Sequence, residues 1–552
     1  MPLKRLFVLF CLIVVLSFGQ AQTASSDYPP DELLQRIGAV GLRSHMEFLA
    51  DDLLEGRGTG ARGFQLAANY IRAQFEGMGL KPAGVRGTYF QKLRFRKIEL
   101  LRGSSSLTLH RDGSARTLTI DQDYAMLGDP LSTDTSAAAP VVFVGYGVSA
   151  PAFNYDDYAG IDVRGKIVTA LYGAPPRFPS APGAHYSSSE EKLRAAAEHG
   201  AIGFLAIWAG KPEKRTPFPE FVRFWRAPAL RWLDQKGVPN NAQPSIRGVA
   251  YISSSTASLM FEGAAKPWKD VVRAADDGQV ESFPLPVTVA IHIVSRHSEV
   301  ESPNIAAILP GSDPQLKNEY VVFTAHADHL GIGDPWNGDD IYNGAADNAS
   351  GTAALLEIAR AFSQLPKPPR RSLLFLAVTG EEEGLLGSDY YAQNPTVPIA
   401  QIVADLNMDE VSFLYDFKDI VPLGGEHSSL GAVADDVARH MGLRVIPDPL
   451  PEEVYFVRSD QYSFIKQGVP ALYIEEGIQT VDPKLNGEKM QLDWEATRYH
   501  RPNDDMNQPI DFNAMVKCTR VNLAVGYEVA QQTDRPHWNQ GDFFEKFAKP
   551  GR

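Results

Sequence analysis

The feature that most constrains the fold is a regular alternation of short apolar runs and amphipathic segments after about residue 303. The runs EYVVFTAH, RRSLLFLAVTG, IAQIVADLNMD and VPALYIEEG are typical of buried strands. Segments with helical periodicity, such as GTAALLEIARAFSQL and LGAVADDVARHMG, lie between them. This alternation predicts an α/β fold in which a mostly parallel or mixed sheet is flanked by helices.

Side chains of the types that bind metal ions follow these strands. Because the carboxyl ends of parallel strands meet at one edge of a sheet, where such folds bind ligands, we expect these side chains to lie close together. The strand-end candidates are His326, Asp328, Glu381, Glu382, Glu383 and Asp409, and two further segments add Asp347 and His500. A glutamate triplet alone is typical of a solvated helix face, but that does not explain why carboxylates follow each apolar strand.

The chemistry of these side chains favours particular metals. Mixed imidazole and carboxylate ligands suit zinc and, less specifically, manganese or cobalt, and the scarcity of cysteine excludes a thiolate site. Five candidate ligands that share one aspartate suit two metal ions, as in two-metal hydrolases. The sequence has neither an H-E-x-x-H nor a G-x-S-x-G motif, which disfavours single-zinc helix proteases and α/β-hydrolases.

Five ordered motifs carry a family resemblance. HADH, NGAADNASG, GEEEGLLGS, LNMDEV and YHRPNDD resemble the motifs of the M28 family of co-catalytic zinc peptidases, which have a zinc exopeptidase fold. The resemblance covers about residues 303–530, and GRGTG is similar to the N-terminal part of the family. It implies two Zn²⁺ ions per chain, one held by His326 and Asp409. Glu382 and His500 would hold the other ion, and Asp347 would bridge both.

The same resemblance implies roles for neighbouring residues. Glu381 would be the general base for water activated by the two zinc ions, and Asp328 would orient His326. Tyr499 matches a tyrosine that stabilises the oxyanion in some members, although a packing role is equally compatible with the sequence. No family role is transferred to Glu383, which we interpret as a surface or helix-start charge. For Arg57 we expect a structural salt bridge.

The first residues have the pattern of a signal peptide. A positive start is followed by the apolar run of residues 6–18 and by small residues near position 21. An uncleaved membrane anchor is the alternative. Of the two cysteines, Cys11 would leave with the signal, and Cys518 in an apolar helical segment is expected to be a core residue. We therefore expect an exported protein, periplasmic or secreted, without an internal disulfide or stable membrane insertion. Its net charge of -14 disfavours nucleic acid as a partner.

The region between the helical start and the α/β part is rich in short strands. VVFVGYGVSAPAFNYDDYAGIDVRGKIV and the following KLRAAAEHGAIGFLAI are similar to the protease-associated (PA) domain inserted in many M28 members. The predicted division is a signal peptide (1–21), an N-terminal helical part of the peptidase domain (22–88), a β-rich insert containing the PA-like domain (89–296), a zinc peptidase catalytic domain (297–532) and a C-terminal tail (533–552).

The functional hypothesis is an exported metallo-exopeptidase that removes N-terminal residues from peptide substrates. A carboxypeptidase or dipeptidase of the same family is the close alternative, because the ligand set does not separate these activities. A glutaminyl-cyclase-like enzyme is disfavoured, since Asp347 and Asp409 preserve a second metal site. A non-catalytic binding protein is disfavoured by the complete set of ligands and base. The residue preference and the oligomeric state do not follow from the sequence.

Overall fold

One long strand joins two β-sheets. The computed structural model describes residues 28–451 and 453–548, so the predicted signal peptide lies outside the described residues. In chain order the strands are β1 (Lys81–Pro82), β2 (Phe90–Leu100), β3 (Ser106–Arg111), β4 (Ser114–Thr117), β5 (Tyr124–Met126), β6 (Asp134–Phe143), β7 (Ser149–Ala150), β8 (Tyr155–Asp156), β9 (Ile167–Leu171), β10 (Gly203–Trp208), β11 (Ala229–Trp232), β12 (Val249–Ser253), β13 (Phe283–Leu309), β14 (Tyr320–His326), β15 (Gly331–Trp336), β16 (Asp339–Tyr342), β17 (Ser372–Val378), β18 (Ile402–Asn407), β19 (Asp419–Leu423), β20 (Arg444–Val445) and β21 (Ala471–Glu476).

Helices surround both sheets. In chain order they are α1 (Asp31–Leu34), α2 (Ala39–Leu49), α3 (Arg62–Gly77), α4 (Ser180–Ser187), α5 (Ser189–Glu198), α6 (Lys211–Arg215), α7 (Phe218–Phe224), α8 (Ser254–Met260), α9 (Trp268–Asp276), α10 (Gly351–Ser363), α11 (Leu386–Gln393), α12 (Leu430–His440), α13 (Gln461–Ile465), α14 (Gly487–Thr497) and α15 (Phe512–Gln531). Among the described residues, no helix is both long enough and apolar enough to cross a membrane.

The main sheet has the strand order β11-β2-β13-β17-β14-β18-β21-β19-β20. Its four central strands, β17, β14, β18 and β21, run parallel to one another, whereas β13 and β19 pair antiparallel at either side. The sheet is therefore mixed with a parallel centre. This arrangement confirms the predicted α/β class and brings the carboxyl ends of four sequence-predicted strands to one edge.

Alternating side chains of the central strands bury the two faces of the main sheet. Phe323 and Ala325 of β14 belong to the core that contains α2, α3, α10 and α15, whereas Val322 faces the opposite core with Leu374 and residues of α11 and α13. Cys518 of α15 is fully buried, as predicted for a core residue. Because both faces are largely covered by apolar side chains, the ends of the strands are left to carry the charged cluster described below.

The insert sheet has the order β4-β3-β13-β6-β9-β10-β12-β5 and its own hydrophobic core. Strand β13 contributes residues 283–294 to this sheet and residues 295–309 to the main sheet. The proposed boundary between residues 296 and 297 thus falls within one continuous strand. Strand β11 also leaves the insert and pairs with β2 in the main sheet.

The C-terminal tail packs on the body up to the end of the described residues. Trp538 and Phe544 are buried against Phe456 and Tyr462, and the Trp538 indole nitrogen donates to the carbonyl of Gly468 at 3.1 Å. Aromatic burial of this kind anchors the tail beside the loop that follows β20.

Candidate metal centre

The site is built at the carboxyl edge of the main sheet. His326 is the last residue of β14, and Glu381 and Glu382 follow β17 by a short turn. Asp409 lies two residues beyond the end of β18. Since these strands are parallel neighbours, their ends deliver an imidazole and carboxylates to one place, as the sequence predicts.

Asp347 and His500 reach this edge from two loops. Asp347 lies in the tight helical turn Ala345–Ser350, which immediately precedes α10, and its peptide bond to Asn348 is cis. His500 follows α14 with a left-handed backbone (φ 54°). Asp504 holds the Asp347 turn in place, because its carboxylate accepts the backbone N–H groups of Ala346 at 2.9 Å and Asp347 at 3.0 Å.

The two carboxylate oxygens of Asp347 face two different histidines. Oδ1 lies 3.3 Å from Nε2 of His326, and Oδ2 lies 3.2 Å from Nε2 of His500. Nε2 of His326 is also 3.1 Å from Oδ1 of Asp409, and Nε2 of His500 is 3.1 Å from Oε2 of Glu382. The five residues therefore form two histidine–carboxylate pairs with Asp347 between them.

Charge interactions within this cluster are strong. Despite its burial, neighbouring histidines hold the pKa of Asp347 well below its usual range. Burial also opposes charge on Glu382, yet His500 and His329 lower its pKa to about 2. Conversely, burial and the nearby carboxylates Glu382 and Asp409 raise the pKa of Glu381 well above its usual value. The cluster thus contains ionised carboxylates beside one carboxyl group that favours its protonated form.

The donor set fits zinc. His326, Asp347 and Glu382 each present a ligand atom, and these atoms lie within 4.8 Å of one another. Imidazole nitrogen and carboxylate oxygen are ligands that zinc prefers, and all three side chains are largely withdrawn from solvent. Asp409 and His500 lie beside this group, since Asp409 is 3.1 Å from His326 and His500 is 3.1 Å from Glu382.

Asp328 contacts His326 mainly through its backbone carbonyl and less closely through its carboxylate. Nδ1 of His326 lies 3.2 Å from the backbone carbonyl oxygen of Asp328 and 3.9 Å from its carboxylate. The carboxylate instead accepts the backbone N–H of Glu381 at 3.2 Å and the hydroxyl of Thr59 at 3.0 Å. Asp328 therefore ties the turn carrying Glu381 to the loop that precedes α3.

His329 joins the cluster although sequence reasoning did not single it out. Its side chain is buried, with Nδ1 2.5 Å from Oε1 of Glu382 and 3.8 Å from Oδ2 of Asp347. The available signal was its position in HADH, directly after Asp328. His329 is placed to hold Glu382 in orientation, since that carboxylate also faces His500 through its other oxygen.

Arg57 supports the loops beneath the site. Its guanidinium is buried and donates to the carbonyls of Leu49, Ala327, Asn343 and Gly344 at 2.5–3.0 Å. Its hydrogen-bond partners are thus carbonyls, where the sequence predicted a salt bridge. By binding both the segment after β14 and the segment before Asp347, Arg57 fixes their relative position.

Glu383 and Tyr499 flank the cluster. Glu383 is half-buried beside Arg231 of β11, and burial followed by nearby carboxylates raises its pKa to about 7. The interpretation of Glu383 as a surface charge is therefore too simple. The Tyr499 ring stacks on His500 at 3.8 Å, and its hydroxyl accepts a long hydrogen bond of 3.5 Å from Arg458. Tyr499 lines a cleft of about 440 Å³ together with Asp347, Glu381 and Asp409.

Comparisons with known proteins agree with these features. A family model described as peptidase family M28 matches residues 304–526. A probable zinc metalloprotease of Pyrenophora tritici-repentis is 31% identical over 327 residues, which cover 53% of this chain and 62% of the relative. A probable zinc metalloprotease of Pyricularia oryzae is 32% identical over 317 residues, covering 50% of this chain and 60% of the relative. The chain thus spans less than two thirds of the length of these curated relatives.

The fold also has a solved counterpart. An aminopeptidase from Aneurinibacillus sp. strain AM-1 superimposes with a TM-score of 0.53 at 20% identity, covering 91% of this chain and 97% of that chain. Fold and site together define an α/β protein with a histidine–carboxylate centre at the carboxyl edge of its sheet. Residues 304–526, which contain this centre, match the model of peptidase family M28.

Proposed function

We propose that the protein is an exported zinc-dependent aminopeptidase that binds two zinc ions and hydrolyses peptides at their N-terminal residue. The observation that carries this proposal is the orientation of Asp347, whose two oxygens face His326 and His500 separately. One ion would be held by His326 and Asp409, and the other by His500 and Glu382. The zinc metalloprotease names of the relatives support the choice of metal.

When bound, zinc activates water as a nucleophile and polarises a carbonyl group. The residues of the chain would supply the proton transfers and the orientation. Glu381 is the general base: its buried carboxyl lies in the cleft beside Asp347 and Asp409. The positive charge of bound zinc would favour the ionised form of Glu381, which accepts a proton from the attacking water. It then returns this proton to the nitrogen of the leaving amine. The Tyr499 hydroxyl donates to the oxygen of the carbonyl as negative charge develops there.

The insert, proposed as residues 89–296 with a PA-like domain, restricts access to this cleft. The side chain of Arg215 in α6 lies 2.5 Å from Glu453, and Glu453 also lies 3.7 Å from Arg458 at the cleft wall. Arg223 of α7 and Arg501 both face the ring of Trp336, at 5.6 and 4.3 Å. These contacts support the proposal that the insert covers one side of the site and limits substrates to the ends of peptide chains.

Glu381→Gln tests the assignment of the base. We expect the variant to keep the zinc content of the unmodified protein and to lose about 10²–10⁴-fold in kcat, because only the proton transfer is removed. Zinc is measured by elemental analysis and kcat with a peptide substrate. Glu383→Gln, a neighbouring carboxamide change, serves as the matched control and should retain kcat within about threefold. A zinc-loaded Glu381→Gln variant with nearly unchanged kcat would refute the assignment.

The direction of cleavage is tested with paired peptides. One peptide of each pair is N-acetylated and the other is C-amidated, and both are compared with the free peptide. An aminopeptidase loses activity on the acetylated peptide alone. Loss on the amidated peptide alone would identify a carboxypeptidase instead. A preparation that holds zinc and cleaves none of the three would contradict the peptidase proposal.

A further inference from the structure

A second cavity opens beside the metal centre. It encloses about 560 Å³, part of it open to solvent, and lies between α14, the end of β21 and the segment after Asp409. It shares Glu410, Tyr455 and Glu495 with the cleft that contains Asp347 and Glu381. A substrate side chain bound in this cavity would therefore lie close to the peptide bond that is cleaved in the adjacent cleft.

The walls of the cavity combine two kinds of side chain. One wall is apolar and aromatic, with Phe413, Leu450 and Trp494, and the Trp494 ring lies 5.2 Å from that of Phe413 in an edge-to-face arrangement. The same Trp494 lies 6.0 Å from the Tyr499 ring, which links this wall to the proposed oxyanion donor. Such walls suit the methylene groups of a long side chain.

The polar part of the cavity is acidic. Five carboxyl groups line it, and among the described lining residues there is no lysine, arginine or histidine; the five are Glu410, Asp448, Glu475, Glu476 and Glu495. Outside the lining, Arg458 contacts Glu453 and Tyr499, and both Arg458 and Arg215 favour the charged form of Glu495. One carboxyl is also held by a tyrosine, since the Tyr455 hydroxyl donates to Oε1 of Glu495. The described lining of the cavity thus offers several carboxyl groups and no positive side chain.

In the absence of a bound cation, burial disfavours the charged form of these carboxyl groups. Burial, followed by nearby carboxyl groups, raises the pKa of Glu475 to about 8. Burial also raises the pKa of Glu495. A positive group bound between these carboxylates would be paired and desolvated together with them, which strengthens charge-assisted hydrogen bonds.

We propose that this cavity is the specificity pocket for the residue whose carbonyl is attacked, and that it takes a basic side chain, arginine or lysine. The inference deepens the proposed function and rests on it. The stem of the side chain packs on Trp494 and Phe413 while its charged end reaches Glu475 and Glu495. The substrates are therefore peptides that begin with arginine or lysine.

The experiment compares substrates that differ only in charge. The kcat/KM of the zinc-loaded protein is measured on the 4-nitroanilides of arginine, citrulline, lysine and norleucine. Citrulline has nearly the shape of arginine but no charge, so the arginine/citrulline ratio isolates the ion pair. We expect a ratio of at least about tenfold, the effect of a single charge-assisted contact of about 1.5 kcal/mol.

Variants assign the preference to the cavity. Glu475→Gln and Glu495→Gln should each lower the arginine/citrulline ratio about tenfold and leave kcat/KM for norleucine within about threefold. Glu488→Gln is the control, because Glu488 is an exposed glutamate of α14, the helix that contains Glu495, and lies outside the cavity. This variant should keep the arginine/citrulline ratio of the unmodified protein. Zinc content measured on every variant verifies that the centre is loaded.

The possible failures are distinguishable. If no nitroanilide is cleaved by the zinc-loaded protein, the proposed aminopeptidase function fails. If norleucine is cleaved as well as arginine, the function stands and the basic pocket is wrong. If Glu475→Gln lowers kcat/KM equally for all four substrates, the cavity recognises a group common to them, such as the free α-amine, and the side-chain proposal is overturned.

Discussion

The main sheet and the insert sheet contain the same geometric element but differ in chemistry. Each has four consecutive parallel strands, β17-β14-β18-β21 in the main sheet and β6-β9-β10-β12 in the insert sheet. Each also has a cavity near strand ends. In the insert it spans about 650 Å³, part of it open to solvent, and follows β9 and β10, where Tyr172, Gly173 and Gly210 line it.

In the described part of the chain, the cluster of His326, Asp347, Glu382, Asp409 and His500 lies at the edge of the main sheet. Among the described residues, the insert cavity is lined by one carboxylate, Asp276, and one lysine, Lys211, and by no histidine. Parallel strands therefore create a crevice wherever they end together, and the side chains after each strand decide what the crevice can do. The comparison teaches that the position of a site follows from topology, whereas its activity follows from its residues.

The largest expected effect comes from removing the residue shared by both proposed metal positions. Asp347→Asn should lower zinc content from two ions to one or fewer per chain and reduce kcat/KM by about a thousandfold or more, because it removes an anionic ligand from both ions. The matched change at the insert cavity, Asp276→Asn, should alter neither quantity. If Asp347→Asn retained two zinc ions and full activity, the distinction between the two edges would fail.

A smaller effect is expected from the tyrosine at the cleft. Tyr499→Phe should lower kcat about ten- to a hundredfold with little change in KM, because a donor to developing negative charge acts in the transition state. Tyr146→Phe removes a hydroxyl at the insert cavity and should leave kcat unchanged. An unchanged kcat in Tyr499→Phe would assign Tyr499 to packing against His500, the alternative that the sequence left open.

The parts of this structure that the sequence predicts are those set by local pattern. EYVVFTAH corresponds to β14 (Tyr320–His326), and SLLFLAV within its run corresponds to β17 (Ser372–Val378). The position of side chains directly after parallel strands follows from topology, so the meeting of His326, Glu382 and Asp409 could be anticipated.

Contacts between distant segments could not be predicted in the same way. His329 is positioned by the loop around Arg57, because Gly58 of that loop forms a β-bridge with His329. The two segments are separated by about 270 residues of chain. The cavity beside the metal centre similarly brings together Glu410, Glu475 and Glu495 from three separate segments. Strand β13 crosses the proposed domain boundary because it pairs with β3 and β6 in the insert sheet and with β17 in the main sheet. These partners are remote from β13 in sequence, so the local pattern does not reveal the crossing.

The smallest expected effect concerns a buried charge in the insert, where no catalytic role is proposed. Burial lowers the pKa of Lys192 to about 7, although Asp157 opposes this shift, and the Lys192 ammonium donates to the carbonyl of Leu171 at 2.8 Å. Between pH 7 and about 10 the unfolded chain keeps this proton and the folded chain releases it, so the free energy of unfolding should rise with pH. One group contributes at most about 1.4 kcal/mol per pH unit.

Lys192→Met should remove that contribution, and urea unfolding at pH 7, 8 and 9 measures it. The difference in unfolding free energy between the unmodified protein and Lys192→Met should grow with pH in favour of the unmodified protein. Lys214→Met changes an exposed lysine of the insert and should give a difference independent of pH. A pH-independent difference for Lys192→Met as well would mean that Lys192 stays protonated when folded. The insert would then also hold a buried charge, and the contrast between the two sheets would rest on the histidine–carboxylate cluster alone.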